Sequence, residues 1–208
     1  MDSIIFDLDG TLWNSTKTLA RPWTETMKKH GINREITADD LACAMGMTVP
    51  QLAEFFIPQL EPDKGLAIAY EACNAETPYL KKYGGVLYPD LEETLMTLSK
   101  NYRLFIVSNC EDDYIKAFYG FHGLKKYMTD EEYIGRTGKE KSENIKLIIE
   151  RHNLKAPVYV GDTKMDYEAA TKNNLPFIFA SYGFGKCENY TAILEKVSDL
   201  PKIMEELS

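Results

Sequence analysis

The sequence has few of the features that point at once to a zinc-binding, secreted or membrane protein. Its four cysteines stand far apart and include no Cys-x-x-Cys pair, so neither a zinc site nor a disulfide framework is indicated. No apolar run approaches the roughly 18 residues that a membrane helix requires. The first apolar run follows Met1-Asp2 too closely to leave room for a signal peptide. We therefore expect a cytoplasmic protein with no membrane partner.

Positive charge is also scarce. Lysine and arginine together number 24, against 32 aspartates and glutamates, which gives a formal net charge of -8. A nucleic-acid partner is not expected, because phosphate backbones are bound by clustered lysines and arginines. A protein of this charge that acts on an anion would need its positive charge concentrated locally, in a metal ion and one or two lysines.

Two carboxylates follow the first apolar run of the chain. Residues 4–6, Ile-Ile-Phe, are typical of a buried strand in a parallel sheet, and Asp7 and Asp9 come where that strand should end. Residues two apart on an extended chain point to the same side, so these like charges would crowd each other unless a cation lies between them. Mg²⁺ suits such hard oxygen ligands. Gly10 permits a sharp turn there, and an ordinary Asp-Gly turn is the alternative interpretation.

The next seventy residues have the apolar spacing of helices and no strand-like alternation. The pattern predicts helices over residues 17–30, 37–44, 49–57 and 63–82, and Gly84-Gly85 ends the block. At 208 residues the chain is long enough for a core domain with a small insertion of this kind.

Beyond this block, strands and helices alternate. We predict strands over residues 102–107, 157–160 and 176–180, with helices over 89–100, 112–121, 141–152 and 165–173. A short edge strand and a closing helix are expected in the tail. Such alternation implies a parallel sheet with right-handed crossovers. The predicted fold is therefore a doubly wound (Rossmann-like) α/β core of residues 1–14 and 84–208, interrupted by an all-helical cap of residues 15–83.

Polar side chains also end two later strands. Ser108 and Asn109 follow one strand and could hydrogen-bond phosphate oxygens, although helix capping is the more frequent role of such a pair. Gly161-Asp162 follows another strand, and Asp166 stands about one helical turn later, where both carboxylates could face one cation. Capping of the next helix explains Asp162 equally well when this motif is considered alone. Ligands of open parallel sheets bind beyond the carboxyl ends of the strands.

A lysine at the start of the helix over residues 141–152 is the candidate positive group. Positive charge is unfavourable at a helix N-terminus, so Lys141 or Lys139 is easier to explain if it neutralises a phosphate or a nucleophilic carboxylate. Lys141 fits better because it directly precedes the residues whose apolar spacing predicts the helix. Ordinary solvent exposure is the alternative for either lysine.

Together these four motifs resemble the motif set of the haloacid dehalogenase superfamily, in the order that this superfamily shows. The matching residues are Asp7 and Asp9, Ser108, Lys141, and Gly161-Asp162 with Asp166, and the helical insertion resembles the superfamily's alpha-helical cap. The resemblance covers essentially the whole chain. Ser142 stands where proline often follows the lysine, and Asn14 stands where many members have aspartate.

The resemblance implies a role for each site residue. Asp7 would be the nucleophile that forms an aspartyl-phosphate, and Asp9 would act as general acid and then general base. Asp7, Asp9 through its backbone carbonyl, and Asp162 would hold Mg²⁺, with Asp166 supporting them. The oxygens of the transferred phosphoryl group would be held by Ser108, Asn109 and Lys141.

The implied function is a Mg²⁺-dependent phosphatase of a small phosphorylated metabolite, similar to phosphoglycolate phosphatases. A helical cap that closes over the site would exclude water and limit the substrate to a small molecule. A phosphomutase similar to beta-phosphoglucomutase shares every motif. A receiver domain also has an acidic Mg²⁺ site with an aspartate acceptor, but such domains are much shorter and lack the helical insertion. The expected partner is a small phosphate ester, and the chain could be a monomer or a homodimer.

Overall fold

The computed structural model describes residues 1–207, and the chain divides into two compact units. The first unit comprises residues 1–14, residues 86–109 and the described residues from 124 onward. The second comprises residues 15–85 and 110–123. Each unit is therefore built from segments that are distant in sequence.

The strands all belong to the first unit. In chain order they are β1 (Ser3–Phe6), β2 (Trp13–Asn14), β3 (Val86–Leu87), β4 (Arg103–Ser108), β5 (Asp130–Tyr133), β6 (Pro157–Gly161), β7 (Phe177–Ala180) and β8 (Ala192–Leu194). Six of them form a sheet in the order β5-β4-β1-β6-β7-β8, in which every pairing is parallel. The short strands β2 and β3 form a separate antiparallel pair.

The helices are distributed over both units. In chain order they are α1 (Thr16–Lys29), α2 (Ala38–Ala44), α3 (Val49–Phe56), α4 (Pro62–Tyr83), α5 (Leu91–Leu98), α6 (Tyr114–His122), α7 (Ile134–Thr137), α8 (Lys141–His152), α9 (Lys164–Lys172) and α10 (Leu200–Glu206). Two short 3₁₀ helices cover Leu124–Tyr127 and Val197–Asp199. Helices α1 to α4 and α6 make up the second unit. Among residues 1–207, no helix combines the length and the apolar character that crossing a membrane would require.

Both faces of the parallel sheet are buried. On one face, Ile5, Phe105 and Tyr159 pack with Ile145 and Ile148 of α8 in a continuous apolar cluster. The alternating residues of the same strands point to the other face, since successive side chains of a strand face opposite ways, and these positions are also inaccessible to solvent. Apolar strands without alternation were expected for a sheet covered on both sides. The predicted doubly wound α/β fold is confirmed.

The helical unit has its own core. Trp23 of α1 is fully buried and packs against Phe56 of α3, with ring centroids 4.8 Å apart. The Trp23 indole N–H donates a 2.6 Å hydrogen bond to Glu76 of α4. A capping box at Thr37, closed by Asp40, begins α2, within the helix predicted over residues 37–44.

Sequence reasoning missed β5 and the β2–β3 pair. The residues of β5 read Asp-Glu-Glu-Tyr, a composition that is unfavourable for a strand. The strand forms because it lies at the sheet edge, where arginines of α7 and α8 pair with its carboxylates. The two residues each of β2 and β3 are too short to show a period in the sequence.

The placement of α6 also differs from expectation. The sequence analysis assigned residues 110–123 to the α/β core, whereas their contacts group them with the helical unit. An ion pair of 3.3 Å joins Asp113, just before α6, to Lys81 of α4, and α6 and α4 pack along each other. An amphipathic pattern shows that a helix needs a partner, but it does not identify that partner. The expected edge strand and closing helix of the tail are present as β8 and α10.

Candidate active site

The register of the sheet brings the ends of three strands to one edge. Phe6 of β1 lies opposite Ile106 of β4 and opposite Val160 of β6. Asp7 follows directly after Phe6, and Ser108 and Asp162 follow two positions after the partners of Phe6, so these polar residues leave the sheet at nearly the same level. Asp7 and Asp162 both lie at this edge, as the sequence analysis predicted for strands of a parallel sheet.

Three carboxylates and one ammonium group meet at this edge. Asp7, Asp162 and Asp166 each place a carboxylate oxygen within 4.8 Å of the others, and all three residues are buried. Lys141 Nζ donates hydrogen bonds of 2.8 Å to Asp7 Oδ1 and 2.7 Å to Asp166 Oδ1. Lys139 is exposed instead. Of the two candidate lysines, the structure thus brings Lys141 to the cluster.

The cluster carries more negative than positive charge. Burial raises the pKa of Asp7 well above its ordinary value; Lys141 opposes this rise, and the neighbouring carboxylates of Asp166 and Asp162 add to it. Burial, together with Asp166, raises the pKa of Asp162 to about 7. For Lys141, burial acts to lower the pKa, but Asp166 and Asp7 outweigh burial and raise it. The lysine is therefore firmly cationic, and its single charge does not neutralise three carboxylates.

Asp166 has two roles in this arrangement. One of its oxygens accepts from Lys141, and the other accepts from the backbone N–H and the hydroxyl of Thr163 at 3.0 and 2.6 Å. Thr163 completes a capping box at the start of α9. Capping of α9 was the alternative role predicted for Asp162, but Thr163 and Asp166 form the capping box instead, and Asp166 also contacts Lys141.

Asp162 is held by a loop that sequence reasoning missed. The backbone N–H of Phe184, just after β7, donates a 2.7 Å hydrogen bond to Asp162 Oδ2. Gly183 approaches so closely that an added Cβ would lie 2.5 Å from both Asp162 Oδ2 and the carbonyl oxygen of Gly10. The Gly-Phe-Gly sequence at residues 183–185 at a strand end is the signal that could have identified this loop.

Gly10 is the second position that glycine alone can occupy. Its φ of +84° lies in the left-handed region, and an added Cβ would come within 2.8 Å of Asp162 Oδ1. The turn after β1 is closed by a 2.9 Å hydrogen bond from the Gly10 N–H to the carbonyl oxygen of Trp13. This tight turn brings the backbone after Asp9 against Asp162.

The remaining predicted site residues lie at the ends of the same strands. Ser108 is the last residue of β4 and is buried, and Asn109 follows it and is partly buried. Asp9 lies in the turn after β1, two residues beyond Asp7, and is partly buried. Every predicted site residue therefore belongs to the α/β unit, near the carboxyl ends of β1, β4 and β6 or at the start of the helices that follow.

The donor set fits a divalent cation. When all three carboxylates are ionised, one ammonium leaves two negative charges uncompensated, which is the charge that such a cation balances. Carboxylate oxygens are the ligands that Mg²⁺ prefers. Both oxygens of Asp166 accept short hydrogen bonds, of 2.7 Å from Lys141 and 2.6 Å from Thr163. Among residues 1–207, Asp162 accepts a short bond only at Oδ2, with the Thr11 hydroxyl 3.5 Å from its Oδ1, and Asp7 accepts from Lys141 at Oδ1. Asp7 and Asp162 are therefore better suited to bind the cation directly. When no cation is bound, burial raises the pKa values of Asp7 and Asp162.

A parallel α/β sheet with a buried acidic cluster and a lysine at its carboxyl edge is the arrangement that the four sequence motifs implied. The chain belongs to the haloacid dehalogenase-like hydrolase family, which its sequence matches over residues 4–180. This match covers most of the 208 residues and confirms the family that the motifs indicated.

Curated relatives and solved structures agree with this assignment. The chain is 28% identical to the phosphoglycolate phosphatase of Aquifex aeolicus, over 99% of this chain and 97% of that protein. It is 29% identical to the phosphoglycolate phosphatase of Aliivibrio fischeri, over 89% and 86% of the two chains. Its fold is similar to that of a predicted phosphoglycolate phosphatase from Haemophilus somnus, with a TM-score of 0.85, 21% identity and 98% of both chains covered.

Proposed function

We propose that this protein is a Mg²⁺-dependent phosphatase that hydrolyses a small phosphate ester through an aspartyl-phosphate at Asp7. The observation that carries the proposal is the buried group of Asp7, Asp162 and Asp166 around one lysine, at the edge of the sheet where ligands of this fold class bind. The proposal also draws on the family and on the names of its curated relatives.

Asp7 is the best candidate for the nucleophile. Its carboxylate would attack the phosphorus atom, forming an O–P bond as the bond between phosphorus and the ester oxygen breaks. Lys141 holds Asp7 Oδ1 at 2.8 Å and so fixes the orientation of the attacking group. The lysine also offsets part of the negative charge that the phosphate brings to this carboxylate.

Asp9 would act first as the general acid and then as the general base. In the first step it would give its proton to the departing alkoxide oxygen, so that the alcohol leaves neutral. In the second step, as a carboxylate, it would take a proton from the water that attacks phosphorus. The O–P bond to Asp7 then breaks, inorganic phosphate leaves, and both aspartates return to their starting states.

The other site residues would bind and orient the phosphoryl group. Ser108 and Asn109 would donate hydrogen bonds to its oxygens from the end of β4. Mg²⁺, held by Asp7, the Asp9 backbone carbonyl and Asp162, would neutralise phosphate charge when bound. Asp166 would keep Lys141 and the start of α9 in place, as its hydrogen bonds to Lys141 and Thr163 indicate.

The proposal is tested by measuring phosphate release from a panel of small esters, with Mg²⁺ and with EDTA. The panel should begin with 2-phosphoglycolate, because the curated relatives carry that name, and should include sugar phosphates. We expect Mg²⁺-dependent release that is lost in Asp7→Asn and kept in Asp63→Asn, which changes an exposed aspartate. Interconversion of sugar phosphates without net release would instead indicate a phosphomutase. No release, with a long-lived phosphorylated protein, would contradict the phosphatase proposal.

A further inference from the structure

The loop after β7, residues 181–191, lies against both Asp162 and the turn that carries Asp9. The backbone N–H of Phe184 in this loop donates a 2.7 Å hydrogen bond to Asp162 Oδ2. A Cβ added to Gly183 would lie 2.5 Å from the carbonyl oxygen of Gly10, the residue after Asp9. One short loop therefore contacts two of the strand ends that form the candidate cation site.

Tyr182 joins this loop to the turn by a hydrogen bond. Its hydroxyl donates to the backbone carbonyl oxygen of Thr11 at 2.9 Å, a distance within the normal range for such a bond. A carbonyl oxygen can only accept, so the hydroxyl hydrogen points to Thr11. Thr11 is buried and Tyr182 is partly buried. Water therefore has little access to compete for this hydrogen bond.

The turn that receives this hydrogen bond is tightly closed. The carbonyl oxygen of Leu8 accepts from the backbone N–H groups of three later residues, at 3.3, 2.8 and 3.3 Å for Thr11, Leu12 and Trp13. Asp9 lies between Leu8 and Thr11 and so belongs to this closed segment. A contact that fixes the carbonyl group of Thr11 therefore also restrains the backbone of Asp9, two residues earlier.

A second tyrosine holds the ring of Tyr182. Tyr88 packs against it with ring centroids 4.5 Å apart. The backbone N–H of Tyr88 also donates to the carbonyl oxygen of Leu12 at 3.3 Å, so Tyr88 is itself joined to the turn after β1. A tyrosine side chain turns about only two bonds, and a packed ring therefore fixes the position of its hydroxyl. The Tyr182 hydroxyl thus has a defined place against Thr11.

From these contacts we infer that Tyr182 is a positioning residue for the cation site. Its hydrogen bond to Thr11 joins the turn that carries Asp9 to the loop that holds Asp162. It therefore sets the spacing between the Asp9 backbone carbonyl and the Asp162 carboxylate, two of the proposed magnesium ligands. Mg²⁺ demands near-ideal octahedral geometry, so its affinity is sensitive to that spacing. This inference rests on the proposed function, because it concerns the metal of the same site.

The first test compares Mg²⁺ binding by Tyr182→Phe and Tyr190→Phe. Each change removes one hydroxyl from the same loop and keeps the ring; Tyr190 is exposed and stacks on Phe179 at 5.9 Å. In calorimetric titrations with Mg²⁺ we expect Tyr182→Phe to bind about threefold to tenfold more weakly, the factor that corresponds to one neutral hydrogen bond. Tyr190→Phe should match wild type. Wild-type affinity in Tyr182→Phe would overturn the inference, and so would an equal loss in both variants.

A second measurement needs neither metal nor substrate. Amide hydrogen exchange, followed by NMR in protein without Mg²⁺, reports on the Phe184 N–H that donates to Asp162 and on the Gly10 N–H of the turn. We expect both amides to exchange faster in Tyr182→Phe and at wild-type rates in Tyr190→Phe. Unchanged exchange at both amides in Tyr182→Phe would contradict the inference. If wild type binds Mg²⁺ but releases no phosphate from any ester, the proposed function fails, and these two measurements still decide whether Tyr182 positions the cation site.

Discussion

Two acidic clusters in the α/β unit, one buried and one partly exposed, differ in how their charge is balanced. At the carboxyl edge of the sheet, three aspartates face a single lysine. At the β5 edge, Asp130 accepts from Arg151 and His152 at 2.7 and 2.8 Å, and Glu132 accepts from Arg136 at 2.6 Å and also from Arg151. The second cluster provides a cation for every carboxylate.

The pKa shifts reflect this difference. At β5, burial acts to raise the pKa of Glu132, but hydrogen bonds from Arg136 and Arg151 outweigh it and hold the pKa below its ordinary value. For Asp130, burial likewise acts to raise the pKa, but hydrogen bonds from His152 and Arg151 outweigh it and lower the pKa. At the carboxyl edge the pKa values of Asp7 and Asp162 rise instead.

Balanced and unbalanced clusters therefore contribute differently to the protein. Paired carboxylates at β5 stabilise an edge strand of poor strand composition. Carboxylates without enough counter-charge reduce stability, and such a group is a candidate ligand site. The contrast distinguishes a structural group of acidic residues from a candidate functional one within the same sheet.

The largest effect is expected from Asp7→Asn. Loss of the proposed nucleophile should lower kcat by about 10⁴-fold or more. The melting temperature in the absence of Mg²⁺ should not fall, because the change removes a negative charge from an undercompensated cluster. Kinetic assays and thermal denaturation test both parts. Retained turnover would remove Asp7 from its assigned role, and a large loss of stability would contradict the description of the cluster as undercompensated.

A matched pair of lysine variants tests which cation serves the site. Lys141→Ala should lower kcat by about 10³-fold, since it removes a buried donor aimed at the nucleophile. Lys139→Ala changes an exposed side chain a few residues away and should leave kcat unchanged. Steady-state assays of both variants with the same ester decide between them. Greater damage from Lys139→Ala would mean that the cluster around Lys141 is not the active site.

Gly183→Ala tests the loop that holds Asp162. A Cβ at this position would overlap the Asp162 carboxylate, so we expect Mg²⁺ affinity to fall about tenfold to a hundredfold. Gly120→Ala is the control, because an added Cβ there meets no atom within 4 Å. Calorimetric titration with Mg²⁺ measures the effect directly. Wild-type affinity in Gly183→Ala would show that the loop does not position this carboxylate.

The smallest effect on activity is expected from Glu132→Gln, at the balanced cluster. The side chain is 1% exposed, and breaking its ion pairs should lower the free energy of unfolding by about 2 kcal/mol. Turnover should remain within about twofold of wild type, as for a site remote from the chemistry. The control Glu168→Gln breaks an exposed pair with Lys164 and should cost less than about 1 kcal/mol.

The carboxylates of the β5 cluster also predict how the stability of the fold changes with pH. Because the folded pKa values of Glu132 and Asp130 lie below their ordinary values of 4.5 and 3.8, both carboxylates stabilise the fold at neutral pH. That contribution is lost as pH falls through the ordinary and then the folded pKa values. Denaturant titrations at several acidic pH values should show a smaller loss in Glu132→Gln. An identical pH dependence in wild type and variant would contradict this account of the β5 cluster.

The extent to which sequence reasoning succeeded follows from the kind of interaction involved. The strand ending at Phe6 and the carboxylates after it were recognisable because apolar runs and strand-end aspartates are local patterns. The partnership of Lys141 with Asp7 spans 134 positions and was accessible only through the order of the motifs. The sequence favoured Lys141 over Lys139 but left the choice open, and the structure places Lys141 at the cluster.

Interactions without a local pattern were missed. The loop after β7 contacts Asp162 through a backbone N–H and glycines, which carry no side-chain signal of their target. The strand β5 is held by arginines from α7 and α8, so its acidic composition concealed it. The hydrogen bond of the Tyr159 hydroxyl to the Val107 carbonyl was missed because an aromatic residue within a strand is expected in the core for its ring alone.

The most direct test of the account is to find where a phosphoryl group is carried during turnover. An ester that the protein hydrolyses is mixed with it in the presence of Mg²⁺, the reaction is quenched in acid, and the peptides are analysed by mass spectrometry. We predict phosphorylation of Asp7 in wild type, increased in Asp9→Asn if hydrolysis of the intermediate is slowed, and absent in Asp7→Asn. Phosphorylation of another residue, or rapid turnover without any phosphorylated peptide, would contradict the central claim.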